Sequence, residues 1–215
     1  MKKLILPFLL VIFLYSCQQT ELQFSCDPVI DAYVTENSEE LAQLTIYETT
    51  VYELPLQRAI FASWSAEKKR SAWLEKLRYV LENESLTKAE VNHVQALIEH
   101  IVPGYFEETI ILHEWETRLA FAEEWINYAS TGLGWTESYI GFMVYRLYTS
   151  PSQLEAEAFG LNDLDGYTAT NIEYGCACNT SDDYCQYANC QSSGCSSSGI
   201  GCGFLGMASC NGSCS

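Results

Sequence analysis

The cysteines of this chain are unevenly distributed, and this distribution constrains the fold more than any other feature. Of the ten cysteines in 215 residues, eight lie in the last 40 residues, and only Cys17 and Cys26 precede them. The tail, residues 176–215, is rich in Gly and Ser and contains no Lys, Arg, Glu or Pro; its only charged side chains are those of Asp182 and Asp183. A segment this short buries too little apolar surface to offset its chain entropy unaided, so we expect crosslinks to form its core.

The amino terminus resembles the signal of a bacterial lipoprotein. Lys2 and Lys3 supply positive charge, and residues 4–15 form an apolar run shorter than the ~20 residues of a spanning helix. Residues 14–17, Leu-Tyr-Ser-Cys, resemble a lipobox, which implies that residues 1–16 are removed and that Cys17 is lipidated. The alternative is an ordinary cleaved signal followed by a chance cysteine. Under both interpretations the chain is exported to a compartment in which thiols can oxidise.

A lipid on Cys17 would anchor the mature chain to a membrane of the cell envelope. Gln18 follows this cysteine, which by resemblance to lipoproteins of Gram-negative bacteria favours the outer membrane. The formal net charge of −17 argues against nucleic-acid binding and against docking on anionic lipid through a basic face. We therefore expect membrane contact through the anchor and no nucleic-acid partner.

The tail cysteines are predicted to form four disulfides, because their number is even and the compartment is oxidising. Many connectivities remain open. Zinc sites favour Cys-x2-Cys pairs, often with histidine, whereas the tail has neither, so no metal and no cofactor is predicted. Cys26 is left over as a free thiol, a link between chains or a member of the tail framework. The predicted disulfide residues are Cys176, Cys178, Cys185, Cys190, Cys195, Cys202, Cys210 and Cys214.

Residues 38–150 have a helical pattern, and the fold class predicted is a mostly α helical bundle followed by a small, irregular, disulfide-rich module. Asp27 before Pro28, Ser65, and Thr136 are candidate N-caps, and Thr87 with Glu90 has capping-box spacing. The segment after Ser65 and the segment after Thr87 carry apolar residues at helical spacing. Longer helices are predicted over residues 106–128 and from residue 136 to residue 148. The predicted apolar positions are Trp73, Leu74, Leu77, Val80, Leu81, Val91, Val94, Leu97, Ile98 and Ile101.

Five segments follow from these patterns. They are a signal peptide (1–16), a lipidated tether (17–37), a helical domain (38–150), an acidic linker (151–175) and the cysteine-rich module (176–215). The linker lacks Lys and Arg and loses the helical periodicity.

No enzyme is predicted, and no catalytic residue is assigned. Glu90 and His93 have the Glu-x-x-His spacing of diiron bundles, but the chain has no second such motif. His113 with Glu114 begins like a zinc-protease helix, yet Thr117 stands where the second histidine belongs. Residues 162–166 hint at a calcium loop, but aligning Gly166 to its glycine puts apolar residues at ligand positions.

Several short segments of the chain carry a resemblance to a known family. They are residues 176–178, 181–185, 201–203 and 210–212, with Cys190 and Cys195, and 54–55, 58–61 and 73–77 in the helical stretch. On these segments the tail resembles the fulvocin C family, small cysteine-rich bacteriocins of myxobacteria, and all eight tail cysteines can be placed in that family's order. The helical stretch resembles the precursor-like region of bacteriocin fulvocin C-related lipoproteins. The resemblance implies a bacteriocin-like module on an anchored precursor, with a target-cell envelope component or an immunity protein as partner.

Two functions are therefore open. In the first, the tail is a bacteriocin, released extracellularly, and the helical domain is its carrier. In the second, the whole chain is a non-catalytic, envelope-anchored interaction protein whose stapled tail is a recognition module. The tail lacks the Lys and Arg of many membrane-active peptides, so membrane action would depend on apolar contacts. The candidate contacts are Tyr184, Tyr187, Ile200, Phe204, Leu205 and Met207.

Overall fold

The computed structural model describes residues 23–107, 112–147, 150, 178–185, 189–194 and 197–214. Within them lie seven α-helices, two short 3-10 helices (Glu48–Val51 and Phe204–Gly206) and four short strands. The described residues do not include the signal, Cys17, the acidic linker with its Asn162–Gly166 motif, Cys176 or Cys195. The side chains of His113 and Cys214 are not described either. The helices are α1 (Pro28–Glu36), α2 (Ser38–Leu41), α3 (Leu54–Ser63), α4 (Ala66–Asn83), α5 (Lys88–His100), α6 (Leu112–Thr131) and α7 (Glu137–Val144); the strands are β1 (Cys190–Ser192), β2 (Ile200–Cys202), β3 (Ala208–Ser209) and β4 (Gly212–Cys214).

The predicted caps begin four of these helices. The Asp27 carboxylate accepts hydrogen bonds from the first backbone N–H groups of α1, directly before Pro28. Ser65 caps α4 and Thr136 caps α7 in the same way. At α5, Thr87 and Glu90 form the reciprocal capping box. Each cap satisfies N–H groups that have no partner within the helix, which is why these boundaries were predictable.

Three predicted helix boundaries are wrong. The helix expected from Phe106 begins at Leu112, because Phe106 lies in a turn that follows Gly104, whose φ is 78°. The helix expected to reach Tyr148 ends at Val144. α6 ends at Thr131, three residues beyond the predicted end and directly before Gly132. Residues 28–36 of the predicted tether form α1, and Val34 is fully buried.

The helices pack around an apolar core, and the predicted faces supply it. Trp73, Leu77 and Val80 of α4 meet Val94 and Leu97 of α5 in one buried cluster. Their spacing of three, four and seven residues places them on one side of each helix. α4 contacts α5, and α5 contacts α6, so these three helices lie side by side in chain order.

The tail forms two antiparallel two-stranded sheets rather than an irregular coil throughout. β1 pairs with β4, and β2 pairs with β3 through an irregular register. A disulfide joins Cys178 to Cys190, and a second joins Cys202 to Cys210, with Cα atoms 6.0 and 5.1 Å apart. The predicted combination of a mostly helical chain and a small disulfide-bearing module is thus confirmed.

The hydrophobic core does not stop where the cysteine-rich segment begins. Phe204, Leu205 and Met207 of the tail are buried in the same cluster as the helices. The Phe204 ring lies edge-on to Trp125 of α6, with centroids 6.1 Å apart. β2 packs on α3, and the turn after β2 packs on α7. The tail therefore completes the helical core in addition to being stapled by its own bridges.

Candidate functional site

A buried ion pair joins the tail to the helices. The guanidinium of Arg58, on α3, donates to the Gly201 carbonyl at 2.7 Å and to the Asp183 carboxylate at 3.2 Å. Only 5% of the Arg58 side chain and none of the Asp183 side chain is exposed. A buried pair of this kind persists only where both charges are matched and hydrogen-bonded, so its loss leaves a costly isolated charge.

The Asp183 carboxylate also accepts hydrogen bonds from three backbone N–H groups of the tail. Its second carboxylate oxygen accepts from the N–H groups of Asn179 at 3.1 Å and of Gly203 at 2.8 Å. The first oxygen accepts from Tyr184 N–H as well as from Arg58. Hydrogen bonds to an ionised acceptor are stronger than neutral ones. One carboxylate therefore holds two tail segments together and fixes both against α3.

The neighbouring Asp182 makes a second connection between tail and helices. One of its oxygens accepts from Phe204 N–H at 3.0 Å, and the other accepts from the Tyr145 hydroxyl, just after α7, at 3.0 Å. Burial, and after it the Asp182 charge, raises the pKa of the Tyr145 phenol well above its usual value, so the phenol stays a donor. Both charged side chains of the tail thus face the helical part.

Gly206 lies at one of the points where the tail backbone comes close to α3. Its φ is 71°, and a Cβ placed on it would lie 2.7 Å from the Phe61 ring. Gly194 has a similar φ of 76°, but nothing lies within 4 Å of its Cβ position. The two glycines therefore carry the same backbone strain on substitution and differ in the contact with the helix.

Replacing Gly206 by alanine should destabilise the protein clearly more than replacing Gly194. Both changes add the strain of a left-handed residue, about 1–2 kcal/mol, but only the first forces Phe61 and the tail apart. Urea unfolding of both variants measures the difference. Equal losses in the free energy of unfolding would show that the contact between Gly206 and Phe61 adds no steric cost.

The segment before α1 is bound to the tail as well. The Asp31 carboxylate accepts from the N–H groups of residues 23–25, and Gly199 N–H donates to the Gln23 carbonyl at 2.7 Å. Cys26 is disulfide-bonded, as is Cys185. The free-thiol alternative for Cys26 is therefore wrong. Its Sγ atom lies 3.8 Å from the Ser193 hydroxyl, among tail residues.

Three tail sulfurs, those of Cys178, Cys185 and Cys190, lie within 4.8 Å of one another. Cys178 and Cys190 are bonded to each other, and Cys185 is also in a disulfide. Zinc binds cysteine as the thiolate, whereas these three sulfurs are all in disulfides. In the oxidised protein this cluster therefore provides no thiolate ligand for zinc.

The histidines of α5 are packing residues of the α5–α6 contact. The His93 ring stacks on Trp125 with centroids 4.3 Å apart, and the His100 ring stacks on Phe121 at 3.6 Å. The carboxylate of Glu90 accepts from the Trp135 indole N–H at 2.6 Å and from Thr87 N–H. Glu90 therefore acts as a cap and an indole acceptor, which explains its spacing from His93 without a metal.

These histidines should make the protein less stable in mild acid. Burial lowers the pKa of both, and for His100 the Arg118 charge lowers the pKa further. The unfolded chain then binds more protons than the native one below about pH 6.5, so stability is full above that pH and falls toward pH 5. Urea midpoints across this range measure the loss. A His93→Phe/His100→Phe variant should lose less stability between about pH 6.5 and pH 5 than the unchanged protein. An equal loss in both proteins would contradict the view that these histidines cause the pH dependence.

An almost fully buried lysine, Lys76, binds the carbonyl groups at the end of α7. The Lys76 ammonium donates to the carbonyls of Phe142 and Arg146, and it lies over the Phe142 ring. Burial lowers its pKa well below that of a free lysine, and the Arg146 charge lowers it further. Its donors satisfy carbonyls that have no partner at a helix C-terminus, so its role is structural.

Sequence reasoning missed Arg58, Asp31 and Tyr145. A signal for the first was present, because Arg58 stands in an apolar helical run and the tail carries only two charged side chains. No family model, curated protein or solved structure significantly matches the chain. Across the described residues, no helix has the length and apolarity needed to cross a bilayer.

Proposed function

We propose that the chain is a non-catalytic interaction protein of the cell envelope in which the disulfide-stapled tail works while attached to the helices. The observation that carries this proposal is the buried Arg58–Asp183 pair between α3 and the tail. Undocking the tail would break this pair and expose to water the apolar surface packed around it, so the pair belongs to the attached state.

The burial of the tail's apolar side chains supports the same proposal. Phe204 and Met207 are almost fully buried, and Leu205 is fully buried. These are three of the residues on which membrane action of a tail without Lys or Arg would depend. In the attached state they pack on helices and are withheld from a lipid surface. The attached tail instead presents the polar strand β1 to solvent, where Gln191 and Ser192 are exposed.

Location in the envelope rests on two features. The lipobox-like Leu-Tyr-Ser-Cys at residues 14–17 supports a lipid on Cys17. The disulfides support an oxidising compartment, since cytosolic thiols are kept reduced. Together they suit a protein tethered outside the cytoplasm, and the predicted outer-membrane location remains part of this proposal.

The second candidate is a bacteriocin precursor, favoured by the resemblance to fulvocin C and by the same burial. In this case the helical part would act as a carrier that covers Phe204, Leu205 and Met207 until the tail is cut free. Killing of target cells would then depend on the tail bridges, and Cys202→Ser would abolish it.

Intact and reduced mass spectrometry of the protein from its native envelope and from culture supernatant separates the candidates. We expect a lipidated chain that begins at Cys17 and retains its tail, with no tail fragment in either fraction. A soluble oxidised fragment that begins near residue 176 would overturn the proposal in favour of the precursor. A chain with free thiols throughout the tail would contradict both.

A further inference from the structure

A groove of about 680 Å³ lies between α6 and the tail. One wall is a stripe on α6 formed by Trp115, Leu119 and Ile126, which are all half-buried. The opposite wall comes from the β2 and β3 region of the tail, with Ile200 half-buried and Met207 buried. The groove thus exists only while the tail is docked on the helices.

The composition of the groove is that of a recognition surface. Apolar side chains make up about half of its lining, and the rest consists of Asn179, serines and the carboxylates of Glu123 and Asp182. Its volume falls within the range of about 300–1,000 Å³ that is typical of ligand sites. Apolar patches with a polar rim commonly mark contacts with other molecules.

The shape of the groove favours an extended segment. Trp115 and Ile126 are eleven residues apart on one helix, which corresponds to about 16 Å at 1.5 Å per residue. An extended chain advances about 3.3 Å per residue, so about five residues fit along this wall. A single side chain or a small ion would leave most of the groove empty.

The charge of the groove selects a cationic occupant. Glu123 is exposed on its rim, and the half-buried Asp182 is the second acidic residue that lines the groove. Among the described residues that line the groove there is no Lys or Arg. The chain as a whole carries −17, which attracts cations and repels acidic ligands.

We propose that this groove binds an apolar segment of a partner protein that carries Lys or Arg beside its apolar side chains. The proposal rests on the proposed function, because it needs the tail to stay attached. The apolar side chains of the partner would lie on the stripe from Trp115 to Ile126. Its cations would meet Glu123 and Asp182 at the rim.

The test uses the full-length oxidised protein and a fluorescein-labelled five-residue peptide, Lys-Leu-Lys-Phe-Lys, with binding followed by fluorescence anisotropy. Two control peptides replace either every Lys by Glu or both apolar residues by Ser. We expect the first peptide to bind at least about tenfold more tightly than either control, the equivalent of about 1.4 kcal/mol. Binding should weaken with salt, since the rim charges are exposed.

Matched variants locate the binding in the groove. Glu123→Gln should weaken binding about threefold or more, whereas Glu124→Gln, an exposed neighbour that does not line the groove, should change it less than about twofold. Ile126→Ser should weaken binding more than Asn127→Ser does. Circular dichroism checks that each variant is folded.

Equal binding of all three peptides, or equal effects of the two glutamate variants, would overturn the proposal. Intact mass of the same sample separates this failure from failure of the proposed function. A protein that retains its tail yet does not bind the peptide refutes the groove alone. A protein found without its tail refutes the attached role from which the groove follows.

Discussion

Replacing Arg58 by methionine is expected to lower the free energy of unfolding by about 3–5 kcal/mol, because the fully buried Asp183 carboxylate loses its cation. Asp183→Asn should cost a similar amount, since it leaves the Arg58 charge without its anion. The double variant should lose clearly less than the sum of the two single variants, because neither charge remains unmatched. Urea unfolding of the three variants measures these values.

The exposed pair of Arg70 and Glu67 provides the control. Its side chains lie 3.4 Å apart, and 69% of the Glu67 side chain is exposed. Glu67→Gln should therefore change stability by no more than about 1 kcal/mol, since water screens such pairs. A result in which Glu67→Gln and Asp183→Asn cost the same would contradict the view that the tail is fixed by a buried charge.

Removal of the Cys202–Cys210 bridge is expected to have the second largest effect, a loss of about 2–5 kcal/mol. Its Sγ atoms belong to a buried cluster with Cys26, and neither residue is more than 3% exposed. The Cys202→Ala/Cys210→Ala variant removes both the constraint on the unfolded chain and part of this packing. Thermal and urea unfolding under oxidising conditions measure the loss.

The Cys178–Cys190 bridge is the matched comparison. The two bridges span 8 and 12 residues, and the chain-entropy difference between such loops is only about 0.4 kcal/mol in favour of the longer one. Cys190 is half-buried, so burial rather than entropy distinguishes the pairs. We expect the Cys202 and Cys210 variant to be the less stable of the two. The reverse order would show that the buried cluster adds little.

The helical part of the fold was largely predictable because its signals are local. Asp27, Ser65 and Thr87 begin helices by bonding to N–H groups two or three residues ahead, and these spacings can be seen in the sequence. The wrong start of α6 has a different cause. Phe106 continues the apolar pattern, but tertiary packing buries it in a turn that precedes the helix.

The candidate site was less predictable because its partners are far apart in the chain. Arg58 and Asp183 are separated by 125 residues, and no spacing rule connects them. The sharing of one core by tail and helices is likewise a long-range outcome. The sequence does predict crosslinking of the tail. It does not indicate that Phe204 and Leu205 would lie in the core of the helices rather than on a released peptide.

The most direct test of a fixed tail is to cut the chain between the helices and the tail. A protease site placed within residues 151–175 is cleaved in the folded, oxidised protein, which is then passed through gel filtration in non-denaturing buffer. A Cys26→Ser variant, treated identically, removes any covalent link through that residue. We predict that the tail fragment elutes with the helical fragment in both proteins. A tail that elutes separately, while the helical fragment keeps its circular dichroism spectrum, would contradict the account.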